Sequence, residues 1–425
     1  MTEWTRTARV LRRAGFGASG AEIDAATSQG LDRWLDTALA DAPEPTYPTI
    51  TVIPPPADKA STAERQKYRQ ALADQGRLLL EWWLGRMLSS RTPVAERLTF
   101  GWHDHWATSI SKVRFAAAML AQQRTFRRTG LGSFTTMAKA MVVDPALMVY
   151  LDAQQNTKAA PNENLARELM ELFTLGVGGG YTETDVKEAA RALTGWRITD
   201  AGAVFEPKRH DDGVKNLLGV TGRLDAASAV DAILAAPAHP GFLATRWWRQ
   251  LASPDAPPPD TLTRLTTAYG AGRDVRALVR ALLVDPAFDR ATGSVVQNPI
   301  EWVVGSMRTL KVATTEQSIR LALGTLRSLG QVPLQPPNVS GWPRGQAWLS
   351  TASAQTRVRA AQQLVKNADL TPVANASAAA RTDALAHLLG LDHFTQRTLT
   401  ALQTAKGNPA ALAAIALVSP DYQVV

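Results

Sequence analysis

The segment ERLTFGWHDHWATS, residues 96–109, places two imidazoles on either side of a carboxylate. His103 and His105 flank Asp104, and Trp102 and Trp106 enclose the three polar residues. Imidazole and carboxylate are the ligands that iron, manganese, copper and zinc take in proteins. Residues two apart in a regular helix diverge by about 200°, so both imidazoles can hold one ion only if the helix unwinds or kinks. The alternative is one buried, hydrogen-bonded histidine and one that faces solvent.

A second group of chemically capable residues lies on the predicted helix 163–175. Its apolar stripe consists of Leu165, Leu169 and Leu172. Glu168 lies at the border of this stripe, Glu171 follows one turn later, and Asn164 precedes both. Like charges at that spacing cost about 0.2–0.5 kcal/mol unless a cation lies between them. That cation is either a metal ion or an arginine, so the two glutamates indicate a site or an ion-pair network.

The third group is His210 and Asp211, which precede a turn at Gly213. Aspartate in such a turn commonly accepts a hydrogen bond from its own backbone, so the simpler interpretation is a turn with a surface histidine. Three of the chain's six histidines nevertheless occur in these polar motifs. This concentration favours a shared site.

Helical periodicity dominates the rest of the chain, and strand alternation is scarce. We predict an all-α fold, a large multi-helix single domain over residues 1–425 with long ordered loops. A small β-hairpin is expected at most, within 197–222. Residues 43–62 form a proline-rich connector after an N-terminal helical pair, and residues 64–425 form the main helical body.

Several local signals refine this picture. One continuous helix is predicted over 21–41, capped by Ser19 and Glu22. The recurring phrases VDPALM at 143–148 and VDPAFD at 284–289 are interpreted as helix ends. The segment 330–348 is predicted to be an ordered loop, because its two tryptophans require burial.

Composition excludes several classes of protein. Without cysteine there are no disulfides, thiolate metal sites or cysteine nucleophiles. The net charge of +8 comes from scattered arginines with no basic block, so no nucleic-acid partner is expected. No apolar run is long enough for a membrane span, and the basic N-terminus lacks the apolar stretch of a secretory signal. A cytoplasmic protein is therefore expected.

The motifs resemble those of the bacterial domain-of-unknown-function family number 1800 along essentially the whole chain. The matching phrases are VLRRAGFG (10–17), ERLTFGWHDHW (96–106), DPALMVYLD (144–152), PNENLARELMELFTLG (161–176), YTETDVKEAARALTGW (181–196), RHDDGVKNLLG (209–219), QNPIEWVV (297–304) and PPNVSGWPRGQAWL (336–349). Eight phrases in the family's order make the resemblance specific. The family is largely without an assigned activity.

The resemblance implies where to look for a site. The family's polar signature here is His103, His105, Asn164, Glu168, Glu171, Asp185, His210 and Asp211. Relatives are often exported and encoded beside a sulfatase-like or phosphatase-like protein, which is the partner that the resemblance implies. Arg9 stands where relatives often carry a histidine, so that position offers no ligand.

The leading hypothesis is a metal-dependent enzyme, with an oxidoreductase preferred over a hydrolase. Its transition metal, iron, manganese or copper, would be held between helices. The predicted metal ligands are His103, His105, Glu168 and His210. The predicted catalytic residues are Glu171 and Asp211. The substrate class expected is a small molecule or a peptide.

Two alternatives use the same residues differently. In the first, Arg167 and Arg191 satisfy the carboxylates in a buried polar network. The protein is then a non-catalytic binding or scaffolding protein that recognises its partner through the loop 336–349. In the second, Glu168 and His210 form an acid/base pair without metal. Three or more His and Glu heads around one point would favour the metal site, and arginines at that point would favour the network.

Overall fold

The computed structural model describes residues 1–200, 202–291, 293 and 295–424. Within these residues the fold is predominantly α-helical, with two small antiparallel hairpins, which confirms the predicted fold class. No helix in the described part of the chain is both long and apolar enough to cross a bilayer.

The helices follow one another with short connections. In the first half of the chain they are α1 Glu3–Ala14, α2 Gly20–Gln29, α3 Leu31–Ala38, α4 Thr62–Ser89, α5 Pro93–His105, α6 Ile110–Val113, α7 Ala116–Thr129, α8 Phe134–Met141, α9 Pro145–Tyr150, α10 Glu163–Glu168 and α11 Glu183–Ala192. In the second half they are α12 Ala226–Leu234, α13 Ala238–Leu251, α14 Pro259–Tyr269, α15 Val275–Val284, α16 Pro286–Arg290, α17 Pro299–Thr309, α18 Glu316–Leu329, α19 Thr351–Leu364, α20 Thr371–Asn375, α21 Arg381–Leu388, α22 Gln396–Gln403, α23 Pro409–Leu417 and α24 Pro420–Gln423. A π-helical segment, Leu169–Thr174, continues α10.

The predicted hairpin region contains two hairpins. Strand β1, Trp196–Thr199, pairs with β2, Gly202–Phe205, and β3, Lys215–Leu217, pairs with β4, Val220–Gly222. The connector at 43–58 contains no helix, as its prolines require.

Three local predictions have different outcomes. The helix predicted over 21–41 is broken at Gly30, whose φ of 87° lies outside the helical region and separates α2 from α3. Asp144 and Asp285 each begin a helix, because each carboxylate accepts a backbone N–H and each following proline is the first helical residue. Asp285 is also the residue at which α15 ends, as predicted for that phrase. The 330–348 loop does bury its tryptophans.

Two large hydrophobic clusters form the core, and α5 contributes to both. Trp102 and Trp106 belong to the first cluster, with the residues of α8 to α15. Phe100 belongs to the second, with residues of α4 and α17 to α19. Every residue of α5 from Glu96 to His105 is buried. Helix α5 therefore lies between the two clusters, and its polar side chains must find partners inside the protein.

Asp144 shows what a buried N-cap costs. Its carboxylate accepts hydrogen bonds from the Leu147 N–H and the Gln122 amide, both at 2.9 Å, yet burial raises the pKa of Asp144 from 3.8 to about 7. A carboxyl with a raised folded-state pKa stabilises the fold most below its unfolded pKa and loses that contribution as pH rises through 7.

We therefore expect Asp144→Asn, which keeps the cap, to gain stability over the wild type as pH rises. The gain at about pH 8.5 should exceed the gain at about pH 5.5 by roughly 2 kcal/mol. Urea unfolding of both proteins at the two pH values measures this difference. A difference that does not vary with pH would contradict the assignment.

Candidate functional site

His103 lies in an aromatic box at the end of α5. Its ring is fully buried against Trp83 at 5.3 Å, Trp342 at 5.5 Å and Phe126 at 6.4 Å, measured between ring centroids. Neither ring nitrogen has a hydrogen-bond partner among the described residues. Burial lowers the pKa of His103 to about 3, so the imidazole is neutral at physiological pH.

His105 points to the side of α5 opposite His103, toward Trp102 and Phe173 of the first hydrophobic cluster, because the helix stays regular up to His105. Its Nε2 lies 3.0 Å from the Phe173 carbonyl oxygen, and His239 makes the equivalent contact to the Thr174 oxygen, also at 3.0 Å. Burial, and then Arg246, lower the pKa of His105 well below its usual value. His105 and His239 thus contact successive carbonyls at the end of the π-helical segment. Both histidines of α5, His103 and His105, are buried, so neither of them faces solvent.

Glu168 ends α10, and Glu171 lies in the π-helical segment that follows. The Leu175 N–H donates to the Met170 carbonyl five residues earlier, at 2.9 Å. Glu171 is paired with Arg167 at 3.5 Å, and the same guanidinium reaches Glu183 at 2.7 Å. Partial burial, followed by Glu171, raises the pKa of Glu168. Arg167 thus supplies a cation to Glu171, whereas Glu168 makes no ion pair with the described residues.

His210 and Asp211 fasten the hairpin region to α11. The His210 Nδ1 lies 3.0 Å from the Thr194 carbonyl oxygen. Asp211 accepts hydrogen bonds from Arg191 at 2.7 and 3.2 Å and from the Gly213 N–H at 2.9 Å. The Arg191 bonds lower the pKa of Asp211. Asp211 therefore closes a turn and an ion pair.

Two further residues of the polar signature also bond to backbone. Asp185 completes the capping box with Thr182 and accepts the Leu218 N–H at 2.7 Å. The Asn164 amide donates to the Leu151 carbonyl at 3.1 Å. Both residues therefore join separate segments of the fold.

The structure does not bring the four predicted ligands around one point. No group of three His, Asp or Glu side chains in the described ranges is arranged to hold a metal ion. His103 lies in the aromatic box, and ring nitrogens of His105 and His210 face carbonyl oxygens. The three predicted histidine ligands therefore lie in different surroundings.

Asp104, between the two histidines, is the centre of a buried ion cluster. One carboxylate oxygen accepts the Trp342 N–H at 2.8 Å, and the other accepts Arg344 at 2.7 Å and the Gln250 amide at 3.0 Å. Arg246 lies 3.7 Å from the carboxylate. Burial raises the pKa of Asp104, but Arg344, Arg246 and the Trp342 N–H outweigh it, and the pKa lies below its usual value. Both oxygens of this ionised group are therefore engaged.

The loop that supplies Trp342 and Arg344 depends on a glycine. Gly341 has a φ of 88°, and a Cβ built on it would collide with the Asp104 carboxylate. Only glycine lets the loop backbone approach Asp104 so closely. The loop and the carboxylate therefore define each other's position.

A second buried ion pair lies beside the first. Arg97 is 2% exposed and pairs with Glu301, whose other oxygen accepts the Asn298 N–H at 3.1 Å in the capping box of α17. Gln250 joins the two pairs, because its amide oxygen lies 3.5 Å from Arg97 while its nitrogen donates to Asp104. The Arg97 Nε has no partner within the described chain.

These residues border a cleft of about 560 Å³ between α5, α13, α17 and the loop after α18. We call it the Asp104 cleft; its charged and aromatic lining includes Arg97, Asp104, Arg249, Glu301, Trp342 and Arg344. Arg249 is exposed and makes no ion pair or hydrogen bond with the described residues. Leu349, 51% exposed, adds an apolar rim. The volume lies in the range of small-molecule sites, roughly 300–1,000 Å³.

Three of the sequence phrases that carried the resemblance meet at this cleft, namely 96–106, 297–304 and 336–349. Reasoning from the sequence selected the histidines of the first phrase and missed Arg97, Glu301 and Arg344. One signal was available, because Asn298-Pro299 followed by Glu301 has the form of a helix N-terminus. The pairing of these charges across the chain had no local signal.

Comparison with known families confirms the resemblance. The model of the family described as "Protein of unknown function (DUF1800)" matches residues 9–424. No curated protein and no solved structure matches the chain. The function must therefore be argued from the site itself.

The two histidines of α5 should respond differently to replacement. We expect His103→Leu to change the unfolding free energy by less than about 1 kcal/mol near neutral pH, because no hydrogen bond is lost. His105→Leu should cost about 1–3 kcal/mol, because the Phe173 carbonyl loses its donor. Urea unfolding of the two variants measures both values, and equal losses would contradict this distinction.

Acid should widen the difference in stability between the wild type and His103→Leu. Its folded-state pKa lies below the unfolded value of 6.5, so wild-type stability is lost as pH falls through that window. His103→Leu should gain about 2 kcal/mol over the wild type between roughly pH 7.5 and pH 5. Urea unfolding of the wild type and of His103→Leu at the two pH values measures this gain, and a difference that stays constant with pH would contradict the lowered pKa.

Breaking the Asp104 cluster should be costly. Asp104→Asn leaves Arg344 and Arg246 without their counter-charge, and we expect a loss of about 3–5 kcal/mol of unfolding free energy. Asp255→Asn is the control, because Asp255 lines the same cleft but is exposed, and its effect should stay within about 0.5 kcal/mol. Similar losses in both variants would refute the anchoring role.

Proposed function

The chain belongs to the DUF1800 family, and from the Asp104 cleft we propose that it is a non-catalytic binding protein for anionic, partly apolar small molecules. The observation that carries this proposal is the state of the charges in the cleft. Its buried carboxylates are already engaged, whereas a guanidinium remains free to receive a ligand.

The pairing of the charges supports an anionic ligand. The lining carries three arginines and three carboxylates, the third carboxylate being the exposed Asp255, so the argument rests on which groups are already paired. Asp104 and Glu301 each accept hydrogen bonds at both oxygens. Arg249 is unpaired, and Arg97 has an Nε without a partner among the described atoms. Guanidinium groups bind carboxylates and phosphates through paired, charge-assisted hydrogen bonds. A ligand with one such group would supply the acceptor that Arg249 lacks.

The lining also supports a partly apolar ligand. Phe100, Val296, Trp348 and Leu349 line the cleft beside the charged residues. Ligand sites commonly combine an apolar wall with a few placed polar groups that set the orientation. An aromatic or aliphatic carboxylate or phosphate matches that combination.

The carboxylates of the cleft act as anchors in this proposal. A general base must be able to take a proton from the ligand, and Asp104 has a lowered pKa and no unoccupied oxygen. The same side chains hold the loop and α17 in place. Binding therefore fits the known contacts better than acid/base chemistry within this cleft.

The metal-dependent oxidoreductase stays a prediction, as do the hydrolase and the metal-free pair of Glu168 and His210. The geometry gives the metal less support, because the three predicted histidine ligands lie in different surroundings and no group of three His, Asp or Glu side chains in the described ranges is arranged to hold an ion. Metal content of protein purified without chelator tests it. Stoichiometric metal that is lost from folded His103→Leu would favour the metalloenzyme.

The binding proposal is tested with pairs of anionic and neutral probes. Suitable pairs are phenylphosphate with phenol and benzoate with benzamide. Binding of each probe is measured by calorimetry and by the rise in melting temperature that binding produces. Only the anionic members should bind. Arg249→Gln should weaken their affinity about tenfold, because a charge-assisted hydrogen bond contributes about 1.5–3 kcal/mol.

Arg359→Gln is the matched control, because Arg359 is an exposed arginine of α19 outside the cleft lining. Its affinity for the probes should stay within about twofold of the wild type. Equal binding of neutral and anionic probes, no binding of either class, or full affinity in Arg249→Gln would each overturn the proposal.

A further inference from the structure

A second concave surface lies away from the Asp104 cleft. It runs between α4, α6 and the end of α18, with a volume of about 590 Å³. We call it the arginine groove, because Arg69, Arg77, Arg114 and Arg327 line it. No carboxylate is among the described residues that line it.

The arginines of the groove differ in their partners. Arg77 is paired on its own helix with Asp74 at 3.3 Å and Glu81 at 3.5 Å. Arg69, Arg114 and Arg327 are exposed, and their side chains make no ion pair or hydrogen bond with any described residue. Three free positive charges therefore surround one groove.

The floor between these charges is apolar. Leu72 and Leu80 of α4 are nearly buried, and Ile110 packs beside them. Gly76 allows this packing, because a Cβ at that position would lie 3.3 Å from the Ile110 Cδ1. Phe115, 44% exposed, stands at the rim.

The backbone at the rim is held in an unfavourable conformation. Arg114 has a φ of 64° and a ψ of −20°, in the left-handed region that non-glycine residues seldom adopt. Such a residue costs of order 1–3 kcal/mol and persists only where the surrounding structure holds it. The turn sets Arg114 and Phe115 side by side at the mouth of the groove.

The shape of the groove follows the long helix α4. The lining residues of α4 run from Tyr68 to Leu80, a rise of about 18 Å at 1.5 Å per residue. That length matches three to four turns of a second helix. A straight apolar floor with charged edges is the surface against which an amphipathic helix packs.

We propose that the arginine groove docks an acidic amphipathic helix of a partner protein. Apolar side chains of that helix cover Leu72, Leu80 and Phe115, and its carboxylates pair with the free arginines. The groove is concave, so a flat lipid surface reaches its floor less well than a helix. This inference does not depend on the ligand of the Asp104 cleft.

The test uses a synthetic peptide of about 14 residues with leucines at helical spacing and glutamates elsewhere. Its binding to the full chain is followed by fluorescence anisotropy. A second peptide with lysine in place of every glutamate keeps the apolar face. The acidic peptide should bind at least about tenfold more tightly, and its affinity should fall as salt is raised.

Two kinds of variant separate charge from apolar contact. The double variant Arg69→Glu, Arg327→Glu should weaken binding of the acidic peptide at least about tenfold, and Phe115→Ser should weaken it severalfold. Arg359→Glu, Arg397→Glu is the control, because it makes the same charge change at exposed arginines outside the groove. The control should stay within about twofold of the wild type.

Several results would overturn the proposal. They are equal binding of the two peptides, equal losses in the groove and control variants, and no binding of the acidic peptide. Vesicles of phosphatidylcholine and phosphatidylglycerol provide the remaining comparison. Groove-dependent binding to these vesicles without peptide binding would assign the surface to an anionic membrane instead.

Discussion

The structure depends on the burial of one polar helix. Helix α5 lies between the two hydrophobic clusters, and an ionised side chain in such a place must be paired or neutralised. Glu96, Arg97 and Asp104 are all buried and all paired. Their partners come from distant elements, namely Arg86 and Arg127, Glu301, and Arg246 and Arg344. Each pair therefore fastens another part of the fold to α5.

The same helix explains the two histidines. Residues two apart on α5 face opposite clusters, so His103 packs with Trp83 and Trp342 while His105 packs with Trp102 and Phe173. Burial keeps both imidazoles neutral. One fills an aromatic box and the other satisfies a carbonyl. The two histidines thus contribute to packing, while Asp104 between them holds the residues that line the cleft.

The loop after α18 connects the two surfaces for which binding is proposed. Its Gln335 lines the arginine groove, and its residues from Trp342 to Leu349 line the Asp104 cleft. The Ile110 N–H donates to the Leu334 carbonyl at 2.8 Å, which ties the loop to α6. Asp104 holds the loop at its other end. The loop is therefore fixed at both sites by contacts with neighbouring parts of the chain.

The sequence by itself determined the features that depend on hydrogen bonds between residues close together in the chain. It predicted the helical class and the capping box at Ser19, because a cap and its partner lie three residues apart. The family was also readable from short phrases. Only the tertiary structure decided which charges meet: Asp104 lies 240 residues from Arg344, and Arg97 lies 204 residues from Glu301. Such pairs form because packing brings distant elements together and leaves a buried charge no other partner.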